Sequence, residues 1–473
     1  MKKLRGNIRI LAVLVTGLFI ALGVYFSYSV YYYGGRWFAN VNNPRLRNQK
    51  QRVVAGDILD RTGTVLATTQ NGLRTYPPGG NTRKAVCHVV GDNAGMVANS
   101  AETFMASYLL GFKADIFDRI RQVFASGPER GDTVKLTINA ELCAYAADLL
   151  SPYQAGAIVV LNYKTGEILC STSYPNFDPK YMEDYSNQET DDDAPNGPLF
   201  NRVTQGLYPP GSTFKIVTMA SALENIEGVR SRSFECAGTL RVDQSTVTEA
   251  SDQIHGRVSM EQAFAQSCNV SFSSLALSLG YASMAKTASS FGFGGYFLFR
   301  DLVLYDSKYP TDKQSADDLA WSGIGQGHVQ ATPLHMAMIA GAVANDGVMM
   351  EPRLMLSAVS DKGVVRTVSQ SRVYRRALSA PDALTINEYM RACVRYGTGT
   401  RAAIDGYVVG GKTGSAEVSD DKSVDTHAWF VGFVEDQRYP LAIAVLVEHG
   451  GAGSRVAAPI AQKVLRRAMQ LGV

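Results

Sequence analysis

Tyr208-Pro209-Pro210-Gly211-Ser212-Thr213-Phe214-Lys215 is the stretch on which the reading of this 473-residue chain turns. Pro-Pro-Gly forces a turn, and an apolar-periodic run follows through Ile216, Met219, Ala220 and Leu223. Start signals of this kind put Ser212 at the mouth of a helix. Lys215 lies three residues on, so both side chains project from one side of that helix. The N–H groups and positive dipole end of a helix N-terminus then sit beside the serine oxygen. A lysine one turn away takes the serine proton once burial or a second cation lowers the lysine pKa. The competing assignment is an N-cap serine beside a surface lysine. Ser283…Lys286 and Ser419…Lys422 share the spacing, but neither follows a Pro-Pro-Gly turn.

Two patterns downstream supply partners. Ser267-Cys268-Asn269 falls between one helical pattern, Met260 to Gln266, and another, Val270 to Leu279. A loop there presents a hydroxyl and an amide to a cleft, although Ser267 capping the second helix is the simpler role. Lys412-Thr413-Gly414 lies in the strand-like run Val408 to Val418, whose glycines let another backbone approach closely. Its cation and hydroxyl suit a carboxylate. Lys164-Thr165-Gly166 repeats the letters, but hairpin-turn chemistry explains it.

Composition narrows the field. A formal charge of +3 with 19% charged residues and no basic stripe gives no reason to expect nucleic acid. Cys87, Cys143, Cys170, Cys236, Cys268 and Cys393 form no C-x-x-C pair and show no zinc-like spacing, and the six histidines form no H-x-x-x-H pair. Linear spacing therefore argues against a metal site, and the cysteines read as small buried hydrophobes.

Lys2, Lys3, Arg5 and Arg9 precede an uncharged run from Ile10 to Tyr33, long enough to span a bilayer. Tyr25, Tyr28, Tyr31, Tyr32, Tyr33 and Trp37 gather at its far end as an interfacial belt. A cleaved signal peptide is the alternative, but no small-x-small site ends the run. The short basic tail is expected inside and the body outside, although Arg36, Arg45, Arg47, Lys50 and Arg52 blur the charge asymmetry. The expected division is an anchor at 1–33, a small α+β pedestal at 34–150, and an α/β domain at 151–473. Within the pedestal, Ala55 to Ala67 reads as two strands around an Arg-Thr-Gly turn, with helices near 100–110 and 114–125. In the large domain, Ala157 to Cys170 is a hairpin, the acidic run Glu183 to Asp193 is a solvated loop, and a mostly helical stretch reaches about 345. Tyr407 to Val418, Ala428 to Val434 and Leu441 to Glu448 are strands, and Ala457 to Leu471 is a helix. Strands at both ends of the domain predict one sheet assembled from distant segments.

Ser-x-x-Lys, Ser-x-Asn and Lys-Thr-Gly together are the set of penicillin-binding proteins and serine β-lactamases. The sequence resembles a class B penicillin-binding protein of the compact, short-pedestal kind. The resemblance extends over Gly156 to Pro179, Gly323 to Gly327, Thr332-Pro333, His427 to Gly432 and the pedestal opening Gly56 to Arg61. It implies a transpeptidase fold with an antiparallel sheet flanked by helices, and a peptidoglycan stem peptide ending in D-Ala-D-Ala as substrate. By the same likeness Ser212 is the nucleophile, Lys215 its base, and Ser267 a proton relay helped by Lys215 and, secondarily, Lys412. Asn269 holds the peptide amide, Lys412 and Thr413 with Gly414 hold the carboxylate, and the N–H groups of Ser212 and Ser415 form the oxyanion hole. β-Lactams are the implied inhibitors, no cofactor is implied, and a SEDS-type glycan polymerase is the implied partner at the membrane. A D,D-carboxypeptidase and a non-catalytic β-lactam sensor or scaffold are the competing functions.

Overall fold

The computed structural model describes residues 2–38, 48–50, 52–77, 79–97, 99–113, 129–186, 197–250, 253–313, 315–419, 421 and 423–473. The helix expected at 114–125, most of the acidic run, and Lys422 lie outside these residues. The chain opens with helix α1 (Lys2–Phe38). The most apolar 18 residues of its Arg5–Ser29 segment have a mean hydropathy of 2.4. At about 1.5 Å per residue that segment is roughly 37 Å long, enough to cross a hydrocarbon core of about 30 Å. Large apolar side chains from Ile8 to Phe26 stand exposed on it, as lipid contact requires.

Next come short strands β1 (Ile58–Leu59), β2 (Val65–Gln70), β3 (Leu73–Thr75) and β4 (Thr133–Leu136). The expected Arg-Thr-Gly turn joins β1 to β2, and the Asp60 carboxylate closes it by accepting from the N–H groups of Thr62 and Thr64. The helix expected at 100–110 is two single turns, Ala101–Phe104 and Ala106–Leu109. Helix α2 (Ala140–Leu150), capped by Asn139, leads into the hairpin β5 (Ala155–Asn162) and β6 (Ile168–Tyr174).

Helix α3 (Lys215–Asn225) follows the Pro-Pro-Gly turn. The mostly helical stretch expected after it needs correction. Residues 233–248 and 256–259 form two small antiparallel ladders, in which β7 (Ser233–Cys236) pairs with β10 (Gly256–Ser259), and β8 (Thr239–Val242) with β9 (Ser245–Thr248). Alternate burial along Ser233-Phe234-Glu235-Cys236 is the strand period that decides it. Helices α4 (Met260–Ala265), α5 (Asn269–Phe291) and α6 (Pro333–Ala344) follow, with Thr332 capping α6. Strands β11 (Met355–Val359) and β12 (Val365–Val368), not anticipated, return to the first sheet, whose order becomes β12-β11-β4-β1-β2-β3. That sheet therefore mixes strands from both ends of the chain.

Helix α7 (Ala380–Tyr396), strands β13 (Val408–Ala416), β14 (His427–Glu435) and β15 (Leu441–Glu448), and helix α8 (Ala457–Gln470) complete the chain. The main sheet is antiparallel in the order β13-β14-β15-β5-β6, assembled from distant segments as expected. Its central strands are buried along nearly their whole length, so cover is needed on both faces. Helix α6, buried all round, packs on β15, β14 and β5, while α8 packs on β15 and β14 and α2 on β6. An apolar helix with no polar face belongs in such a core.

One ionic contact ties the main sheet to the Tyr208 turn. Glu448, at the end of β15, accepts from Arg202 Nε and from the Tyr208 hydroxyl, both at 2.7 Å. Arg202 is almost fully buried, so Glu448→Ala leaves a buried cation without its carboxylate. The expected loss is about 3 kcal/mol, read by denaturant unfolding of wild type and variant. A loss within error of zero would show that this contact does not hold the turn to the sheet.

Candidate active site

Ser212 sits in a 3-10 turn, Gly211–Phe214, that runs straight into α3, so Lys215 is the first α-helical residue. In a turn of three residues per revolution, positions i and i+3 eclipse, which keeps Ser212 and Lys215 on one side. Gly211 makes the turn feasible: its φ is +53°, and its N–H donates to the Gly325 carbonyl at 2.9 Å. A Cβ on Gly325 would stand 2.2 Å from the Gly211 oxygen, so the Gly323 to Gly327 loop buttresses the serine turn by backbone contact. Trp429 Nε1 donates to the Pro209 carbonyl at 3.0 Å and holds the turn from the sheet side. Among the described residues the Ser212 hydroxyl has no hydrogen-bond partner, and Lys215 is fully buried. The N-cap-plus-surface-lysine assignment fits neither fact.

Ser267 occupies the left-handed region with φ +63°, between α4 and α5. A non-glycine residue held there marks backbone strain retained for a reason. Its hydroxyl is shared by two amines: Lys412 Nζ donates to Ser267 Oγ at 2.7 Å, and Lys215 Nζ at 3.2 Å. Lys215 also donates to the Ser267 carbonyl at 2.6 Å and to Asn269 Oδ1 at 2.8 Å. Lys412, on β13, also reaches the Thr413 carbonyl at 3.0 Å. The amines lie over aromatic faces, Lys215 over Phe272 and Lys412 over Phe264. Burial, then the neighbouring Lys412 cation, pushes the Lys215 amine down to about 7, against the opposing pull of Glu249. Burial pushes Lys412 down to about 8.

A cavity of about 390 Å³ opens above this cluster, lined by Ser212, Ser267, Asn269, Thr413, Gly414 and Ser415 among others. Both lysines lie beneath its wall. Strand β13 is the edge of the main sheet, so alternate N–H groups face the serine turn instead of another strand. Gly414 permits the approach, since a Cβ there would meet the Pro210 oxygen at 3.0 Å. Gly410 and Gly411 do something else, accommodating the rings of Phe433 and Phe430. The Ser415 hydroxyl accepts from the Gly453 N–H at 3.1 Å.

The look-alike motifs lie elsewhere. Lys164 is exposed in an Asn162-closed turn. Lys286 pairs with Glu224 on the surface, and the Ser419 hydroxyl accepts from the Asp421 N–H. Two contributors have no place in the motifs. Thr398 Oγ1 lies 2.6 Å from Thr413 Oγ1, and its Gly397-Thr398-Gly399 setting is the signal that could have marked it. Buried Glu249 accepts from the N–H groups of Asn269 and Val270 at 2.9 and 2.8 Å. No linear pattern marks it, because it lies between two short ladders.

The profile "Penicillin binding protein transpeptidase domain" matches residues 156–466. The chain belongs to the penicillin-binding protein transpeptidase family. The family assignment agrees with the resemblance carried by the three motifs. Peptidoglycan D,D-transpeptidase PbpA of Mycolicibacterium smegmatis is 32% identical over 378 residues, covering 75% of this chain and 76% of its own. The structure of penicillin-binding protein A from M. tuberculosis as a ceftriaxone acyl-enzyme matches with TM-score 0.81 and 28% identity, over 89% of this chain and 100% of that one. A D,D-transpeptidase domain of a peptidoglycan glycosyltransferase from Eggerthella lenta matches with TM-score 0.76 and 30% identity, over 89% of this chain and 99% of that one.

The lysine environment fixes a pH dependence for a penicillin-binding protein with this site. A base must be neutral to accept a proton, and Lys215 becomes neutral as pH rises through about 7. The rate of covalent labelling by a fluorescent penicillin should therefore rise along a limb centred near that pH. Lys412→Ala removes the cation that helps lower Lys215, so the limb should move to higher pH. A profile that is flat, or that moves to lower pH in the variant, contradicts the assignment of Lys215 as base.

Proposed function

We propose that this protein is a peptidoglycan D,D-transpeptidase acting through a Ser212 acyl-enzyme, inhibited covalently when a β-lactam takes the place of the stem peptide. The observation that carries it is the Ser267 hydroxyl shared by two buried amines at the wall of the cavity that Ser212 lines. Ser212 Oγ attacks the penultimate D-Ala carbonyl and passes its proton to neutral Lys215. The N–H groups of Ser212 and Ser415 receive the developing oxyanion, and preorganised electrostatic support of this kind usually contributes more than any other factor to such catalysis. The C–N bond to the terminal D-Ala then breaks, and its nitrogen takes a proton delivered through Ser267 under the field of Lys412. Asn269 holds the peptide amide, while Lys412, Thr413 and Gly414 hold the terminal carboxylate. An amine from a neighbouring stem peptide attacks the ester, forms the crosslink and returns Ser212 its proton.

The arrangement also favours this reading over a sensor or scaffold, since every group of the reaction has a place around one cavity. A D,D-carboxypeptidase uses the same groups with water as the acceptor. Helix α1 serves as the membrane anchor with its basic tail cytoplasmic, followed by the pedestal at 34–150 and the transpeptidase domain at 151–473 outside the cell. A SEDS-type glycan polymerase contacting the anchor and pedestal is the proposed partner.

Penicillin labelling of the full chain tests the nucleophile. Ser212→Ala should abolish the adduct, and Ser283→Ala and Ser419→Ala should retain it. An adduct surviving in Ser212→Ala overturns the mechanism. Supplied with lipid-linked stem peptides and acceptor strands, the enzyme should yield crosslinked dimers. Release of D-Ala without dimers moves the assignment to a carboxypeptidase.

A further inference from the structure

Next to the Ser267 loop, where Glu249 and His255 line the cavity that Ser212 also lines, four chemically assorted side chains converge from four separate segments. Cys236 ends β7, Glu249 follows β9, His255 precedes β10, and Cys268 stands at the N-terminus of α5. One donor atom from each lies within 4.8 Å of all the others. Cys236 Sγ is 3.5 Å from His255 Nδ1 and 3.4 Å from Glu249 Oε1, and Cys268 Sγ is 3.0 Å from Glu249 Oε1. His255 Nδ1 is 3.8 Å from Glu249 Oε2. Zinc bonds of about 2.3 Å to sulfur and 2.0–2.1 Å to nitrogen or oxygen give tetrahedral edges of roughly 3.3 to 3.8 Å. The observed separations bracket those edges.

We propose that Cys236, Glu249, His255 and Cys268 bind a zinc ion that fastens the Ser267–Asn269 loop to the two small ladders beneath it. Two thiols, an imidazole and a carboxylate in a tetrahedral set select zinc over harder cations. Without a metal the Cys268 sulfur is a thiol that donates to Glu249 Oε1, and the Ser271 N–H and hydroxyl, which donate to it at 3.4 and 3.0 Å, are placed to support the thiolate once a metal takes its proton. His255 Nε2 is buried and has no hydrogen-bond partner among the described residues, so it is free to carry the ring proton and leave Nδ1 as a ligand. Metal entry displaces the two thiol protons as a dication arrives, which leaves the formal charge beside Lys215 unchanged. There is also a structural need. Two-stranded ladders are marginal by themselves, and this pair carries Cys236 and Glu249, the latter holding the Asn269 N–H. The metal would thus be structural, and its ligands positioning residues. C-x-x-C and H-x-x-x-H spacing rules miss such a site because each ligand comes from a different segment.

Metal content is read without activity, so an empty site and a failed reaction are distinguishable. Full-length protein purified in detergent, without added metal or chelator, should contain stoichiometric zinc by mass spectrometry. Exchange with cobalt should produce a thiolate-to-cobalt charge-transfer band. The Cys236→Ser, His255→Ala double variant should bind zinc at least about 10-fold more weakly, whereas Cys236→Asp, which keeps a ligand, should retain it. Chelation of wild type should lower its melting temperature and slow penicillin labelling, and zinc should restore both. Wild type that is folded by circular dichroism yet takes up neither zinc nor cobalt overturns the site. So does equal zinc in the double variant, or recovery of Cys236 and Cys268 as a disulfide. Full labelling and an unchanged melt after complete chelation overturn the positioning role.

Discussion

Two lysine amines competing for one serine hydroxyl are the constraint around which this molecule is built. Both lie within 3.2 Å of Ser267 Oγ, so they stand no more than about 6 Å apart. Like charges at that separation repel by about 3 kcal/mol at an effective dielectric of 20, equivalent to roughly 2 pK units. Burial of both amines adds to this. The fold therefore holds a pair that is poorly stable when doubly charged, and neutralising one member is the cheapest relief. A neutral amine next to a nucleophile is the chemical consequence.

Keeping that pair in place requires backbones closer than side chains allow. The serine turn is pinched between the edge strand β13 and the Gly323 to Gly327 loop, with Gly211, Gly325 and Gly414 at the contacts. Gly453 extends the same device, because a Cβ on it would lie 2.2 Å from the Gly414 oxygen. Trp429 then fixes the turn through its indole N–H, and Tyr208 fixes the preceding residue through Glu448. The main sheet supplies the rigid frame to which these clamps attach. This division of labour, rigid strands with glycine contacts, suits a site whose parts come from residues some 200 positions apart, Ser212 and Lys412.

The sequence revealed those parts where local chemistry writes a local signature. Pro-Pro-Gly before Ser212, the hairpin around Lys164 and the strand period of Leu441 to Glu448 were all legible because turn and burial rules act within a few residues. The ladders at 233–248 and 256–259 were not, since each strand is four residues long and their alternation is too brief to compete with the helical patterns on either side. Glu249 and Thr398 were hidden for another reason. Their roles follow from what folding brings to them, N–H groups at one helix start and a hydroxyl on β13, and neither is encoded beside them in the chain. The pairing of β11 with β4 is equally non-local. Glycines are legible only in part: Gly414 admits a backbone, whereas Gly410 and Gly411 admit aromatic rings.

Counting donors on Lys215 shows why the Ser267 loop matters to the reaction as well as to the architecture. The ammonium form has three N–H donors, and all three are engaged, by the Ser267 carbonyl, the Ser267 hydroxyl and Asn269 Oδ1. The neutral amine keeps two donors and gains a lone pair, so one of the three contacts must give way on deprotonation. The Ser267 hydroxyl contact is the weakest at 3.2 Å and is the one that gives way, which frees the Lys215 lone pair for the Ser212 proton while the hydroxyl still accepts from Lys412. Deprotonation of Lys215 and release of the Ser267 hydroxyl are thereby one event. The carbonyl and Asn269 contacts persist through it, which leaves the loop in place while the base is exposed. A loop free to drift would separate these steps, and the strained φ of Ser267, the Glu249 carboxylate under Asn269 and the donor cluster behind Cys268 all act against that drift.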